Sequence, residues 1–254
     1  MSHEQDVTRQ FDDVAARYEK SPVHAEGPDL ALFRETAERL RPRHALDVGC
    51  GPGHVALALA PFCAHVHAID ASPAMLAIAA RRAREAGHGH VDFQEASAAG
   101  LPLADATMDL VTCRFSAHHW RRVAAGIAEI GRVLRPGATL ILTDGLAPDD
   151  PLADTHLQAI EVLRDPTHVR NYTVSAWMAL LAAHDLAPVR TDHFRIRLAF
   201  ADWVKRAKTP RSRIIAIEDL LSQAPAEARA RLGVEDDGSF HLDVLTVQCE
   251  KRAY

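Results

Sequence analysis

The sequence predicts an α/β fold built on a mostly parallel β-sheet. Short apolar runs of strand length alternate with helical patterns between residues 43 and 144, and this alternation is typical of βαβ units. The first strand pattern passes into a helix through a loop with three glycines, Gly49, Gly51 and Gly53. Glycines at alternate positions allow a sharp turn and a close approach of the backbone to a ligand, so this loop is the predicted centre of a binding site.

The elements follow in a regular order as far as residue 144. Apolar residues from Val7 to Tyr18 recur at helical spacing, and a second amphipathic helix is predicted over residues 28–40. Strands are predicted over residues 43–48, 64–69, 91–95, 108–115 and 138–144, with helices over residues 54–60, 74–86 and 121–134 between them. Arg135, Pro136 and Gly137 are predicted to form the turn between the last of these helices and the last strand.

The regular alternation stops after residue 144. Helices are predicted over residues 150–163 and 173–183, on either side of a polar loop, and a strand is predicted over residues 187–200. Two or three helices follow within residues 202–233, and the last strand is predicted over residues 240–249. Polar and apolar residues alternate in this last strand, as is typical of an antiparallel member of a sheet.

Two acidic residues beside the glycine loop indicate what kind of ligand it binds. Asp70 follows the second strand about twenty residues after Gly49, near the separation at which a carboxylate reaches ribose hydroxyls. Residues 51–56 also satisfy a pattern of NAD-binding proteins, but Asp47, just before the loop, would repel a pyrophosphate. S-adenosylmethionine carries a sulfonium and an ammonium and no phosphate. It therefore fits these carboxylates better, with Asp47 near its methionine moiety and Asp70 on its ribose.

The segment LDVGCGPG at residues 46–53 closely resembles motif I of class I S-adenosylmethionine-dependent methyltransferases. Within that class, LPL at 101–103, FSAHHW at 115–120 and VLRPG at 133–137 are similar to the small-molecule branch that includes ubiquinone and menaquinone biosynthesis enzymes, also called methyltransferase type 11. The resemblance implies a Rossmann-like fold with a seven-stranded, mostly parallel sheet. It also implies a reversed C-terminal hairpin and a helical cap insertion.

The resemblance further implies one domain in three parts. Residues 1–42 are expected to form an N-terminal helical lid, and residues 43–150 the Rossmann-like core that binds S-adenosylmethionine. Residues 151–254 are expected to complete the core sheet. Within them, the segments at about 151–185 and 201–239 are expected to supply helices that cap the substrate.

Positions that match the family's motifs are expected to bind the cofactor. Ser97 stands where the family commonly has Asp beside the adenine, and Ala98 would offer its backbone N–H to the purine edge. Arg114 is a candidate for holding the methionine carboxylate, and Tyr18 lies on a helix similar to one that related enzymes fold over their cofactor. The expected cofactor residues are Tyr18, Asp47, Gly49, Cys50, Gly51, Gly53, Asp70, Ala71, Met75, Ser97, Ala98 and Arg114.

The candidate catalytic residues are histidines. His118 and His119 follow the fourth core strand, where functional residues of open α/β sheets gather. Either could act as a general base at neutral pH, or could pack against the sheet in a structural role. His168, in the polar loop, is the next candidate. His65 and His67 point to one face of a strand, but no third ligand follows at helical or strand spacing, so no metal site is expected.

The composition limits the partners and the location that we expect. The net charge of −5 argues against a nucleic-acid partner, and the basic run at residues 205–213 is expected to be a solvated surface. No uncharged apolar run approaches the ~20 residues of a membrane span, and the N-terminus lacks the apolar core of a secretory signal. We therefore expect a cytoplasmic monomer or homodimer, with four free cysteines, that acts on a small molecule away from membranes.

The predicted function is transfer of a methyl group from S-adenosylmethionine to an O, N or C atom of a small-molecule acceptor, with S-adenosylhomocysteine as the product. Two alternatives stay open from the sequence. An NAD(P)-dependent oxidoreductase would require Asp47 to tolerate a pyrophosphate. A non-catalytic S-adenosylmethionine-binding subunit would keep Gly49, Gly51 and Asp70 but would lack an acceptor pocket.

Overall fold

The computed structural model describes residues 2–253, and of Pro22 it describes the main chain alone. The α-helices in this part of the chain are α1 His3–Glu19, α2 Pro22–Ala25, α3 Pro28–Leu40, α4 His54–Leu59, α5 Pro73–Glu85, α6 Val123–Val133, α7 Pro151–Arg164, α8 Val174–Ala182, α9 Phe200–Arg206, α10 Arg211–Gln223 and α11 Ala226–Leu232, and short 3-10 helices cover Ala60–Phe62 and Ala117–His119. The strands are β1 His44–Val48, β2 His65–Asp70, β3 Val91–Glu95, β4 Met108–Arg114, β5 Leu134–Gly145, β6 Leu186–Leu198 and β7 Phe240–Lys251. Among these helices, none combines the length and apolarity that crossing a membrane requires.

The strands form a seven-stranded sheet in the order β3-β2-β1-β4-β5-β7-β6. β1 pairs in parallel with both β2 and β4, β3 is parallel to β2, and β5 is parallel to β4. β7 runs against both of its neighbours, β5 and β6. The mixed α/β fold with a mostly parallel sheet is therefore confirmed, and so is the reversed strand near the C-terminus.

Apolar clusters on both faces of the sheet account for the apolar residues of β1 and of the carboxyl-terminal half of β2. Leu46 of β1 and Ile69 of β2 belong to one cluster, which also contains residues of α6 and α8. Ala45 and Val66 belong to a second cluster with residues of α3, α4 and α5. Successive residues of a strand point to opposite faces, so a stretch that is covered on both sides carries apolar residues at consecutive positions, as at Ala68 and Ile69.

The strand order leaves a crevice at the carboxyl ends of β1 and β4. The chain fills the sheet from β1 outwards to β3 and then returns to place β4 on the other side of β1. The loops that follow β1 and β4 therefore diverge at this point and leave a crevice, as in other open α/β sheets. The glycine loop follows β1, and His118 and His119 follow β4, so both predicted groups lie at this edge.

The structure corrects one boundary of the predicted elements. Arg135, Pro136 and Gly137 were expected to form a turn before the fifth strand, but they lie inside β5, which begins at Leu134. Leu134 pairs with Met108, and the register of β5 against β4 shifts immediately afterwards. The positive φ of Gly137, +78°, accommodates this irregularity inside the strand.

Candidate functional site

A cavity lies at the carboxyl ends of β1, β2 and β4, beneath α1. Its walls come from the glycine loop, the start of α5, the loop after β3, the loop after β4 and one side of α1. α1 is held over this edge by its own polar side chains. Thr8 Oγ1 donates to the carbonyl oxygen of Ala71 at 3.0 Å, and Asp12 accepts from Ser72 Oγ at 2.6 Å.

The glycine loop turns tightly against β2. The N–H groups of Gly49 and Cys50 both donate to the carbonyl oxygen of Ile69, at 2.8 and 2.9 Å. Gly49 has a φ of +71°, and a Cβ atom there would lie 2.0 Å from Ser116 Oγ. Gly51 has a φ of +52°, but a Cβ atom there would meet no atom within 4 Å. Glycine at position 49 is thus required by packing, whereas the backbone at Gly51 is open to the cavity.

Asp70 supports this loop from the end of β2. One carboxylate oxygen accepts from the N–H of Gly51 at 2.8 Å, and the other accepts from the N–H of Ser72 at 2.9 Å. Burial raises the pKa of Asp70 above its ordinary value, although the backbone donors oppose this shift. Each oxygen retains a further lone pair for a ligand hydroxyl.

Asp47 is an acidic side chain enclosed at the end of β1. Its residue is 1% exposed, and its carboxylate accepts from Thr112 Oγ1 at 2.9 Å and from the N–H of Ala56 at 3.1 Å. Burial raises the pKa of Asp47 to about 7, against an ordinary value of 3.8. The charge of Arg114 lowers the pKa of Asp47, but this is the smallest of the effects that act on it. A cationic ligand beside Asp47 would therefore be favoured.

The remaining expected cofactor residues do not all line the cavity. Ala71, Met75, Ser97, Ala98 and Tyr18 lie in its wall together with the residues above. Gly53 lies outside the wall: it is the N-cap of α4, and a Cβ atom there would lie 3.0 Å from the Cβ of Ala79. Gly53 therefore allows the loop to pack closely against α5 and does not face the cavity.

Arg114 is in the cavity wall, but its guanidinium is directed at the N-terminal segment. It forms a buried, two-pronged ion pair with Asp29 of α3. It also donates to the carbonyl oxygens of His24, at 2.7 Å, and Val23, at 3.3 Å. This arrangement ties α2 and α3 to the end of β4. Its suggested contact with a cofactor carboxylate stays a prediction.

His119 is the histidine of the three candidates that lines the cavity. Its Nδ1 lies 3.1 Å from the carbonyl oxygen of Thr167. Because a carbonyl only accepts, Nδ1 carries the proton, and Nε2 is left with the lone pair in the neutral ring. Burial, and then the charge of His118, lower the pKa of His119 to about 4. The ring is therefore neutral near pH 7.

His118 and His168 pack against His119 but do not belong to the cavity wall. His118 Nδ1 lies 2.5 Å from Asp144 at the end of β5, and the His118 N–H donates to the other carboxylate oxygen at 3.0 Å. Burial by itself lowers the pKa of His118, but Asp144 outweighs it and holds that pKa above its ordinary value. His168 Nε2 bonds Gln158 Oε1 at 3.0 Å, and burial is the main reason that its pKa falls to about 2.

The structure brings the three histidines together, with ring centroids 4.3 to 6.3 Å apart. The connection runs through the loop between α7 and α8, since the N–H of Val169 donates to the carbonyl oxygen of His118 at 2.9 Å. In the same loop, Thr167 Oγ1 donates to Asp165 at 2.7 Å. The polar loop that the sequence singled out is thus packed against the site.

Sequence reasoning missed several residues of the site. Phe11, His24, Phe115 and Trp120 add aromatic surface to the cavity wall. Phe11 packs edge-on against His119, with ring centroids 4.9 Å apart. The sequence pattern placed Phe11 on the apolar face of α1, and a residue on such a face is ordinarily interpreted as part of the core.

The basic run at residues 205–213 was expected to be a solvated surface, but the structure shows that one of its residues is not solvated. Arg206 turns towards the inside of the protein, and its guanidinium lies 6.0 Å from the ring of Tyr18. Arg164 of α7 joins it and donates to the Tyr18 hydroxyl at 3.4 Å. α7 and α9 thus meet α1 next to the cavity, a contact that charge counting along the chain does not predict.

A glycine loop after the first parallel strand, an acid at the end of the second and a reversed last strand together define the architecture of class I methyltransferases. Residues 46–142 match the family model described as a methyltransferase domain. YcgJ of Bacillus subtilis, an uncharacterised methyltransferase, is 36% identical over 247 residues, which are 95% of this chain and 98% of that protein. The chain belongs to this methyltransferase family.

Other comparisons agree on the fold and the family. The crystal structure of YcgJ superposes with a TM-score of 0.83 at 34% identity, over 89% of this chain and 98% of that one. A ubiquinone/menaquinone biosynthesis C-methyltransferase of Rubrivivax gelatinosus is 34% identical over 149 residues, 57% of this chain and 58% of that protein. The resemblance noted in the sequence is therefore confirmed.

Proposed function

We propose that this protein transfers a methyl group from S-adenosylmethionine to an O, N or C atom of a small-molecule acceptor. The observation that carries the proposal is the placement of two carboxylates, Asp47 and Asp70, on either side of a glycine loop that opens into the cavity. Asp70 would bind the ribose hydroxyls through its free lone pairs. Ser97 and Ala98, in the wall after β3, would meet the adenine.

The electrostatics of Asp47 fit a cationic cofactor. A buried carboxylate whose pKa has risen to about 7 gains from a nearby positive group and is further destabilised by a negative one. An ammonium or sulfonium would lower the free energy of the ionised form, whereas the pyrophosphate of NAD would raise it. This supports S-adenosylmethionine over the dinucleotide alternative.

S-adenosylmethionine supplies, when bound, a methyl group that is reactive towards a lone pair or a carbanion. The protein then has to position the acceptor, exclude water and, where the acceptor is acidic, take up its proton. α1 covers the cavity and the aromatic side chains exclude water. These walls suit an acceptor with a flat apolar body.

His119 is the proposed proton acceptor of this site. Its Nδ1 is bound by Thr167, which leaves Nε2 as the atom that can receive a hydrogen bond or a proton from the acceptor. The pKa of about 4 keeps the ring unprotonated at neutral pH. Because so low a pKa makes the imidazole a weak base, its proposed role is to accept a hydrogen bond from the acceptor and to take up that proton as the methyl group is transferred. His118 and His168 are proposed as positioning residues, because each bonds to another side chain and neither lies in the cavity wall.

The first test is calorimetric titration with S-adenosylhomocysteine, S-adenosylmethionine and NADH. Asp70→Asn should weaken binding of both adenosyl ligands at least about tenfold, because a charge-assisted hydrogen bond contributes roughly 1.5–3 kcal/mol. Asp236→Asn, an exposed acid far along the chain in the loop before β7, is the matched control and should change nothing. Binding of NADH alone would overturn the proposal. Equal affinities for the wild type and Asp70→Asn would remove Asp70 from the cofactor site.

Turnover separates an enzyme from a non-catalytic subunit. Wild-type protein should convert S-adenosylmethionine to S-adenosylhomocysteine in the presence of flat, weakly acidic acceptors such as phenols and hydroquinones. Cofactor binding without turnover across a broad acceptor panel would instead support a non-catalytic role. We also propose that the protein acts in the cytoplasm as a monomer or homodimer, which fractionation and light scattering would test.

A further inference from the structure

A second cluster of ligating side chains lies at the opposite end of β2 from the cavity. His65 and His67 belong to β2 and Asp92 to β3, and their ligating atoms all lie within 4.8 Å of one another. His65 Nε2 is 2.9 Å from Asp92 Oδ2. All three side chains are at least partly exposed to solvent.

The register of the parallel strands accounts for this cluster. His67 is the partner of Asp92 across the β2–β3 pairing, and His44 of β1 is the partner of His65. Paired residues of neighbouring strands point to the same face, and so do residues two apart in one strand. His44 therefore shares the face, and its ring stacks on that of His67 at 6.1 Å.

We propose that His65, His67 and Asp92 form a binding site for a divalent transition-metal ion of the zinc type. Imidazole nitrogens and a carboxylate oxygen are ligands that Zn²⁺, Ni²⁺ and Cu²⁺ accept, whereas Mg²⁺ prefers a set of oxygen ligands. Three protein ligands leave coordination positions open for water or for His44. The expectation of no metal came from β2 alone, and Asp92 enters only through the neighbouring strand.

The geometry requires small movements. Ligands at about 2.0–2.2 Å from a tetrahedral zinc ion are about 3.4 Å apart, so the side chains must approach each other by rotation. Partly exposed rings at the end of a strand can rotate in this way, since His65 has 29% and Asp92 has 68% of the side chain exposed. A bound ion would connect β2 to β3 some distance from the cavity: His65 is five residues before Asp70, roughly 16 Å along an extended strand.

Zinc titration of protein without an affinity tag tests the proposal. The protein is stripped with a chelator and titrated calorimetrically with Zn²⁺, Ni²⁺ and Mg²⁺ in separate experiments. We expect one Zn²⁺ ion per chain at micromolar or tighter affinity, weaker or similar binding of Ni²⁺, and no binding of Mg²⁺. His67→Ala and Asp92→Asn should each weaken Zn²⁺ binding at least tenfold, while S-adenosylhomocysteine binding stays as in the wild type.

His193→Ala is the matched control, since it removes an exposed imidazole from another strand, β6. It should leave zinc affinity unchanged. Absence of a one-to-one zinc event, or equal losses in His67→Ala and His193→Ala, would overturn the proposal. Electron paramagnetic resonance with Cu²⁺ gives an independent readout: at least two nitrogen ligands are expected in the wild type and fewer in His67→Ala, and an unchanged spectrum would also refute the site.

Discussion

Replacing Asp47 by asparagine tests whether this buried carboxylate serves a cationic ligand rather than the fold. The folded pKa of about 7 lies well above the ordinary value of 3.8. Between these values the folded protein holds a proton that the unfolded chain has released. The free energy of unfolding of the wild type therefore falls as the pH rises from about 4 to about 7, and the uncharged amide of the variant has no such titration.

The size of the effect follows from the shift. A shift of three pKa units corresponds to a total loss of about 4 kcal/mol in the free energy of unfolding of the wild type as Asp47 ionises. About 2–3 kcal/mol of this loss occurs between pH 5 and pH 8. The amide of the variant can keep both contacts: its Oδ1 can accept from the Ala56 N–H, and its Nδ2 can donate to the Thr112 hydroxyl, which then donates to the carbonyl oxygen of Leu46, 3.2 Å away. The hydrogen-bond contribution of the variant is therefore the same at either pH. Relative to the wild type, Asp47→Asn should thus gain about 2–3 kcal/mol on going from pH 5 to pH 8.

Urea unfolding of both proteins at the two pH values measures this difference, and titration with S-adenosylhomocysteine at pH 8 measures binding. We expect the variant to bind the ligand at least about tenfold more weakly although it has gained stability. Asp236→Asn again serves as the control for loss of one negative charge. A stability difference that is the same at pH 5 and pH 8 would refute the assigned burial effect. Unchanged ligand affinity would refute the role of Asp47 in binding.

Three further predictions concern other parts of the site. His119→Gln should lower kcat about 100-fold or more, while the affinity for S-adenosylhomocysteine measured by calorimetry stays within about twofold. In the wild type, protonation of His119 should not affect kcat above about pH 5. A parallel loss of affinity in the variant would make His119 a binding residue. Asp29→Asn breaks the buried pair with Arg114, so urea unfolding should show a loss of about 3 kcal/mol; a loss typical of exposed pairs, below about 1 kcal/mol, would contradict it. Gly49→Ala should lower the thermal unfolding temperature by more than Gly51→Ala does. Both positions have a positive φ, but only a Cβ atom at position 49 would meet a neighbouring side chain. Equal losses of stability would show that backbone strain alone accounts for the cost of both substitutions.

Local patterns along the chain were enough to predict the elements and the glycine loop. The strand and helix patterns carried their own periodicity, and Ser72 before Pro73 marked the start of α5, where Ser72 Oγ accepts from the Met75 N–H at 3.1 Å. The position of Asp70 beside the loop could be predicted because its distance from the loop is set by one βαβ unit. These features depend on residues close in sequence, so the sequence by itself determined them.

Only the tertiary structure decided which side chains meet. His118 bonds Asp144 26 residues away, His119 bonds Thr167 48 residues away, and Arg114 bonds Asp29 85 residues away. The same holds for Asp92, which joins His65 and His67 through strand register. Such partners are selected by strand order and by the packing of cap and N-terminal helices on the sheet edge. Many side chains of the same type compete for each role along the chain, and the choice among them depends on the folded arrangement.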